Sequence, residues 1–319
     1  MPPRIRLPFI ALSLAVLMWA GAGTAAAGMP IYPHQSAGNR GSNVMAIQGL
    51  LRQHGAVLRI SGIFDAPTVT AVRAFQTGRA MPVTGMVDGA TWSRMLVRLR
   101  TGSVGEAVKV LQRQLNDKRG AGLLVDGIYG GATSAAVRTF QRHARLTVSG
   151  GVDPTTWRYL ISHFQRPSFG RYVCDYQVGN GLADWATGAA IGQIRAAAVT
   201  VVNHGHGPIA IGDIGHEHGG DIRGHETHEL GLDVDVRPMR NDERQCRWGG
   251  SYRLASYDRA ATRDLVRAIR ASAPGHVKLI YFNDPVLIRE GLTRWHEGHD
   301  DHLHIRYCER VYPVVAYDC

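Results

Sequence analysis

The sequence predicts a multidomain chain in which two small three-helix units precede an α+β domain built on an antiparallel sheet. Three observations carry this: an internal repeat upstream, strand-like alternation downstream, and the crowding of 11 of the 15 histidines between His204 and His304. A length of 319 residues suits two or three domains. With 45% hydrophobic and 19% charged residues, the chain has ample core and is neither a disordered tail nor a multi-span membrane protein. The 36 basic against 26 acidic residues give a formal charge of +10, which favours an acidic polymer without choosing among nucleic acid, anionic lipid and cell wall.

Residues 1–27 read as a secretory signal, with Arg4 and Arg6 as the positive start, an apolar stretch from Phe9 to Ala20, and Ala25-Ala26-Ala27 as the cleavage site. The strongly apolar part falls well short of the roughly 20 residues needed to span a bilayer. Export with no stable membrane anchor after cleavage is therefore expected. Exported cysteines pair, and Cys174, Cys246, Cys308 and Cys319 contain no C-x-x-C, which disfavours a zinc ribbon. Three pairings are open, and Cys308 with Cys319, closing a short loop, is the favoured bridge.

The repeat begins at Val44 and recurs at Val108. Gln48 aligns with Gln112 at an offset of 64, while Gly62 with Gly127, Phe75 with Phe140 and Trp92 with Trp157 align at 65, so one residue is inserted between. Each unit reads helix, glycine loop, helix, glycine turn, helix. Ala46, Ile47, Leu50 and Leu51 form one apolar stripe at helical spacing, and Val69, Val72 and Phe75 form another. Thr68 and Thr133 stand where a hydroxyl can help cap the second helix of each unit. The aromatic residues of the pattern read as packing. The pattern "Q…L…G…DGIYG…T…AVR.FQ…G.VD..TW" resembles the peptidoglycan-binding domain found beside many cell-wall hydrolases. The resemblance implies binding domains at 38–99 and 100–164, with peptidoglycan as the partner. A connector near His163–Gly170 then leads into a single domain, 170–319.

Two segments of that domain carry chemistry. In "GDIRGHETHELGLDVDVRPM", Leu232, Val234 and Val236 alternate with Asp233, Asp235 and Arg237, so one strand face is apolar and the other aims two carboxylates together. In "WHEGHDDHLHIRYC", Leu303, Ile305 and Tyr307 alternate with His302, His304 and Arg306, which puts both histidines on one strand face. Side by side, the strands bring these histidines to Asp235 and His228. Two imidazoles and one carboxylate suit zinc, with water at the fourth position. Asp233 competes with Asp235 for the ligand role because both point the same way. The helical zinc-peptidase motif is absent, since "HETHE" is one residue short of H-E-x-x-H. His204, His206, His216, His218, His276 and His296 read as isolated histidines, and Glu229 and Asp301 as solvated charges. "YFNDP" reads as a strand ending in a turn.

The segments "GDIGHEHGGDIRGHETHELGLDVDVRP" and "GHDDHLHIR" resemble the penicillin-insensitive murein endopeptidases, within the wider LAS group of zinc peptidases that includes D-alanyl-D-alanine carboxypeptidases. The group pattern, His-x₆-Asp followed by His-x-His, implies His228, Asp235 and His304 as Zn²⁺ ligands and His302 as base or transition-state stabiliser. His225 and His299 match further site histidines of the endopeptidase subgroup. The resemblance covers roughly 205–307. It implies an exported zinc endopeptidase of the periplasm or extracellular cell wall that cuts peptide crosslinks of peptidoglycan. A D,D-carboxypeptidase would use the same centre and need a cation for the terminal carboxylate, for which Arg223, Arg237 and Arg306 are candidates. A non-catalytic wall-binding protein is the third reading. Nucleic acid is not expected as a partner, because no recognisable module accompanies the charge. Oligomeric state is not legible.

Overall fold

The computed structural model describes residues 30–177, 183–222, 225, 227–309 and 318–319. The expected secretory signal and Arg223 lie outside these. No helix among the described residues is long and apolar enough to cross a membrane.

Helices α1 (Ser42–Gln53), α2 (Ala66–Gly78) and α3 (Gly89–Met95) form the first unit, and α4 (Glu106–Arg119), α5 (Gly131–His143) and α6 (Pro154–Ser162) form the second. The predicted stripes are buried together: Ile47, Leu50, Leu51, Val72, Phe75 and Trp92 share one core with Leu111, Leu115, Val137, Phe140 and Trp157. Each buried indole finds an acceptor, Trp92 Nε1 donating to Pro33 O at 2.8 Å and Trp157 Nε1 to Val97 O at 2.7 Å. The repeated glutamines explain the repeated glycine loops. Gln48 accepts from Gly62 N at 2.9 Å and donates to Ile63 O at 2.9 Å; Gln112 accepts from Gly127 N at 2.9 Å and donates to Ile128 O at 3.2 Å. Buried amides are thereby satisfied by the loop they hold. The capping expectation is corrected. The second helix of the first unit is capped by Asp65, which accepts from Thr68 N, whereas Gly130 leaves α5 without a side-chain cap. The hydroxyls of Thr68 and Thr133 receive the Gln48 and Gln112 amides instead.

The downstream part holds β1 (Val173–Asp175), α7 (Gly188–Asn203), β2 (Ile209–Ile211), β3 (Asp233–Val236), α8 (Arg259–Ser272), β4 (Val277–Tyr281), α9 (Pro285–Arg289) and β5 (Leu303–Tyr307). The sheet order is β1-β2-β3-β5-β4, antiparallel throughout except for the parallel edge pair β1–β2. Val234, Val236, Leu303 and Ile305 pack with Ile191, Ile194, Leu265 and Ile269 of α7 and α8 in one core. With those alternate residues turned to the helices, Asp233, Asp235 and His304 fall on the opposite face. Disulfides join Cys174 to Cys246 and Cys308 to Cys319.

The two parts touch through glycine. A Cβ on Gly192 of α7 would lie 2.4 Å from Gly41 Cα, and one on Gly41 would lie 2.0 Å from Gly188 O. Arg40 Nε also donates to Ser272 O at 2.7 Å across the same contact. Gly192→Ala should therefore push α1 off α7 and cost about 1–3 kcal/mol, read as a lowered thermal unfolding midpoint.

Candidate metal centre

The register of β3 and β5 builds the site. Asp235 stands opposite His304 and Asp233 opposite Arg306. His228 arrives from the preceding loop with φ +85°, a backbone conformation that a non-glycine residue adopts at a cost of about 1–3 kcal/mol. Two bonds hold it there: His228 N donates to Asp233 Oδ2 at 3.2 Å, and Nδ1 donates to Ile214 O at 2.7 Å. The second bond fixes the tautomer, so the Nε2 lone pair points away from the backbone.

That lone pair faces the other two donors. His228 Nε2 is 3.2 Å from His304 Nδ1 and 3.5 Å from Asp235 Oδ2, and His304 Nδ1 is 2.9 Å from Asp235 Oδ1. Donors bound at 2.0–2.1 Å to one tetrahedral ion stand about 3.3 Å apart, so these three residues fit a zinc-like ion with little rearrangement. All three are buried. His225, half-buried, also contributes a donor, so that His225, His228 and Asp235 bring one atom each within 4.8 Å of one another. Its Nδ1 is 3.9 Å from Asp235 Oδ2, while its Nε2 is held at 3.2 Å by Asp213 Oδ2. His304 is the nearer third donor.

Asp233 lies behind the donors. Its Oδ1 accepts from His304 Nε2 at 2.9 Å and from Arg306 Nε at 2.7 Å. Burial works to raise this carboxyl, but hydrogen bonding and charge from His304, with Arg306 and His228, hold it down at about 2. Asp235 is likewise raised by burial and then pulled well below the usual carboxylate range by His228 and His304. Burial lowers the His304 imidazole, yet the two carboxylates prevail and lift it to about 9. A metal ion must therefore displace a proton from His304 to bind there.

The remaining predicted histidines form a second rank. His302 precedes β5 rather than lying within it. Its Nδ1 is paired at 2.8 Å with Oδ1 of Asp301, which is exposed as expected of a solvated charge and also partners His302. The His302 ring contacts His299 at 4.7 Å between centroids, and His299 in turn meets His304 at 5.6 Å. Burial lowers His299 to about 4. Asn283 is structural: it donates to His296 O and Asp300 Oδ1, both at 2.8 Å, and accepts from His296 N, holding the loop that carries His299. Asp284 caps α9 and receives Tyr257 and Arg259. Of the reserve histidines, His204 and His206 flank Asp264, and His276 bridges Cys308 O and Ala37 O.

Two contributors escaped the sequence reading. Asp213 anchors His225 and is itself held by Gln177 Nε2 at 3.0 Å. Tyr176 carries the Arg237 guanidinium 3.9 Å above its ring. The one available signal for Asp213 was an acid placed just after the apolar triplet Ile209–Ile211. A cavity of about 810 Å³ lies apart from this centre, between the helical units and α7, lined by residues such as Ser42, Lys118, Gln165 and Arg195.

Comparison with known proteins agrees with the two-part architecture. Residues 40–95 and 104–160 each match the putative peptidoglycan binding domain, and residues 180–272 match the penicillin-insensitive murein endopeptidases. The latter stretch contains His225, His228 and Asp235 and stops short of His299, His302 and His304. The chain is 37% identical over 103 residues to the zinc D-Ala-D-Ala carboxypeptidase of Streptomyces albus G, covering 31% of this chain and 39% of that protein. It is 34% identical over 120 residues to the N-acetylmuramoyl-L-alanine amidase CwlM of Mycobacterium tuberculosis, covering 34% of this chain and 30% of that one. The chain thus spans under two fifths of the length of either relative. A peptidoglycan-binding protein from Clostridioides difficile is 31% identical with a TM-score of 0.19, covering 19% of this chain and 39% of that one. Two stretches similar to the putative peptidoglycan binding domain are therefore followed here by a domain similar to the penicillin-insensitive murein endopeptidases, with clustered His and Asp side chains that could hold a metal ion.

Proposed function

We propose that the chain is an exported, zinc-dependent endopeptidase that hydrolyses peptide crosslinks of peptidoglycan. Tandem domains at 38–99 and 100–164 hold it on the wall, and a peptidase domain at 170–319 cuts. The carrying observation is the His228–Asp235–His304 triad, with mutual donor distances of 2.9–3.5 Å, in a chain that also bears two wall-binding domains. Two nitrogens and one carboxylate oxygen suit zinc and leave a fourth position for water or substrate.

When bound, zinc supplies Lewis acidity toward a scissile carbonyl and toward a water. His228 and His304 present neutral nitrogens, each fixed from behind by Ile214 O or by Asp233. Asp301 holds His302 Nδ1–H, leaving Nε2 to accept a proton from the attacking water and return it to the leaving amine. His225, oriented by Asp213, and His299 line the approach and contact substrate. The wall-binding domains raise the local concentration of crosslinks at the centre.

The carboxypeptidase reading is the less supported. Arg306 is committed to Asp233, and Arg237 lies over Tyr176 while donating to Gln245 O at 3.0 Å. Neither is placed to clamp a terminal carboxylate, and Arg223 lies outside the described residues. Digestion of purified crosslinked muropeptide dimers, followed by mass spectrometry, separates the two. The endopeptidase converts a dimer to two monomers with addition of one water; release of terminal D-Ala from intact dimers would favour the carboxypeptidase. Wall binding is expected to be independent of catalysis. His228→Ala should pellet with purified sacculi as completely as wild type, and its retention in the supernatant would place binding in the metal centre.

A further inference from the structure

A second set of metal donors lies outside the catalytic centre, where the second helical unit meets the peptidase domain. His143 ends α5, His163 follows α6, and Glu217 and His218 belong to the loop after β2. His143 Nε2 is 3.4 Å from His163 Nε2 and 3.1 Å from Glu217 Oε1, and Glu217 Oε1 is 3.5 Å from His163 Nε2. These three edges bracket the separation of about 3.3 Å expected around a tetrahedral zinc ion. The His218 ring lies 5.3 Å from that of His143 and 5.7 Å from that of His163, and one nitrogen of each histidine falls within 4.8 Å of the others. His163 Nδ1 donates to Phe164 O at 2.6 Å, which turns its Nε2 lone pair into the cluster. These residues come from both parts of the chain, so their meeting is a property of the docked arrangement.

We propose that His143, His163, His218 and Glu217 form a second divalent-metal site, of zinc type, that ties the second wall-binding domain to the peptidase domain. Three imidazoles and one carboxylate complete a closed tetrahedron, the form taken by structural rather than catalytic zinc. His218, exposed and already against both rings, supplies the last ligand. Arg119 is the competitor: its guanidinium contacts Glu217 and stands 3.3 Å from His143 Nδ1. An ion beside it is repelled, so metal binding displaces Arg119, and Arg119→Ala tightens the site. The loop carrying Glu217 and His218 also supports the catalytic centre. Its Ile214 carbonyl receives His228 Nδ1–H, and Gly220 N donates to Glu229 O at 3.1 Å. A metal here therefore fixes the wall-binding domain relative to the residue that orients His228.

The test uses the untagged full chain, saturated with zinc, cleared of excess by gel filtration, and analysed for zinc per chain by mass spectrometry. Wild type is expected to retain two equivalents. His143→Ala and His218→Ala, both at solvent-accessible positions, should each retain one, as should His228→Ala, which instead removes a catalytic-centre donor. Wild-type zinc content in both His143→Ala and His218→Ala overturns the second site. Wild-type content in His228→Ala contradicts the catalytic centre instead, so the two readings fail separately.

Discussion

Alanine at His304 is expected to remove one equivalent of zinc together with turnover, whereas alanine at His302 should keep the metal and lower kcat by about 10²–10⁴-fold. The structure gives the reason. His304 Nδ1 faces both His228 Nε2 and Asp235 Oδ1 within 3.2 Å, while His302 stands one ring away, against His299 and paired with Asp301. Measuring bound zinc and kcat in the two purified variants decides it. Zinc lost from His302→Ala and kept by His304→Ala would exchange their roles and with them the proton path.

Asp233→Asn should be nearly as damaging without touching the metal. The buried Asp233 carboxylate neutralises Arg306, anchors His304 Nε2 and receives His228 N, so one side chain orients two of the three proposed ligands. An amide keeps the shape but removes the buried negative charge that faces both His304 and Arg306, at a cost of about 3–5 kcal/mol. Loss of the group behind His304 should weaken zinc by about 10–100-fold. Thermal unfolding and competition with a zinc indicator measure the two effects. Unchanged stability and affinity would mean that Asp233 is a bystander on the strand.

Much of this was legible in the chain because the relevant signals are local. The helical units announce themselves through apolar stripes and through Gln48 and Gln112, whose amides must be satisfied by nearby loops. Strands β3 and β5 show the period of two, and that alternation already set Asp235 and His304 on one face. The exceptions are long-range. The Ile209–Ile211 strand is three buried residues with no alternation, so neither its parallel pairing with β1 nor the role of Asp213 beyond its end has a local signature. His302 fits the alternation of β5, yet the strand begins at Leu303, and the displaced histidine pairs with its neighbour Asp301. His218 reads as an isolated histidine because His143 ends α5 and His163 follows α6, both far away in sequence. Only docking of the two parts brings them together.

Metal-dependent hydrolysis of a crosslink can be followed in a single zinc titration. Enzyme stripped by a strong chelator and verified as zinc-free is incubated with purified crosslinked muropeptide dimers while zinc is added back in steps. Cleavage to monomers should be absent at the start and return in proportion to zinc bound at the centre containing His228, reaching the untreated rate. Dimer cleavage by the verified zinc-free enzyme, or dimers left whole at full zinc occupancy, would contradict the account.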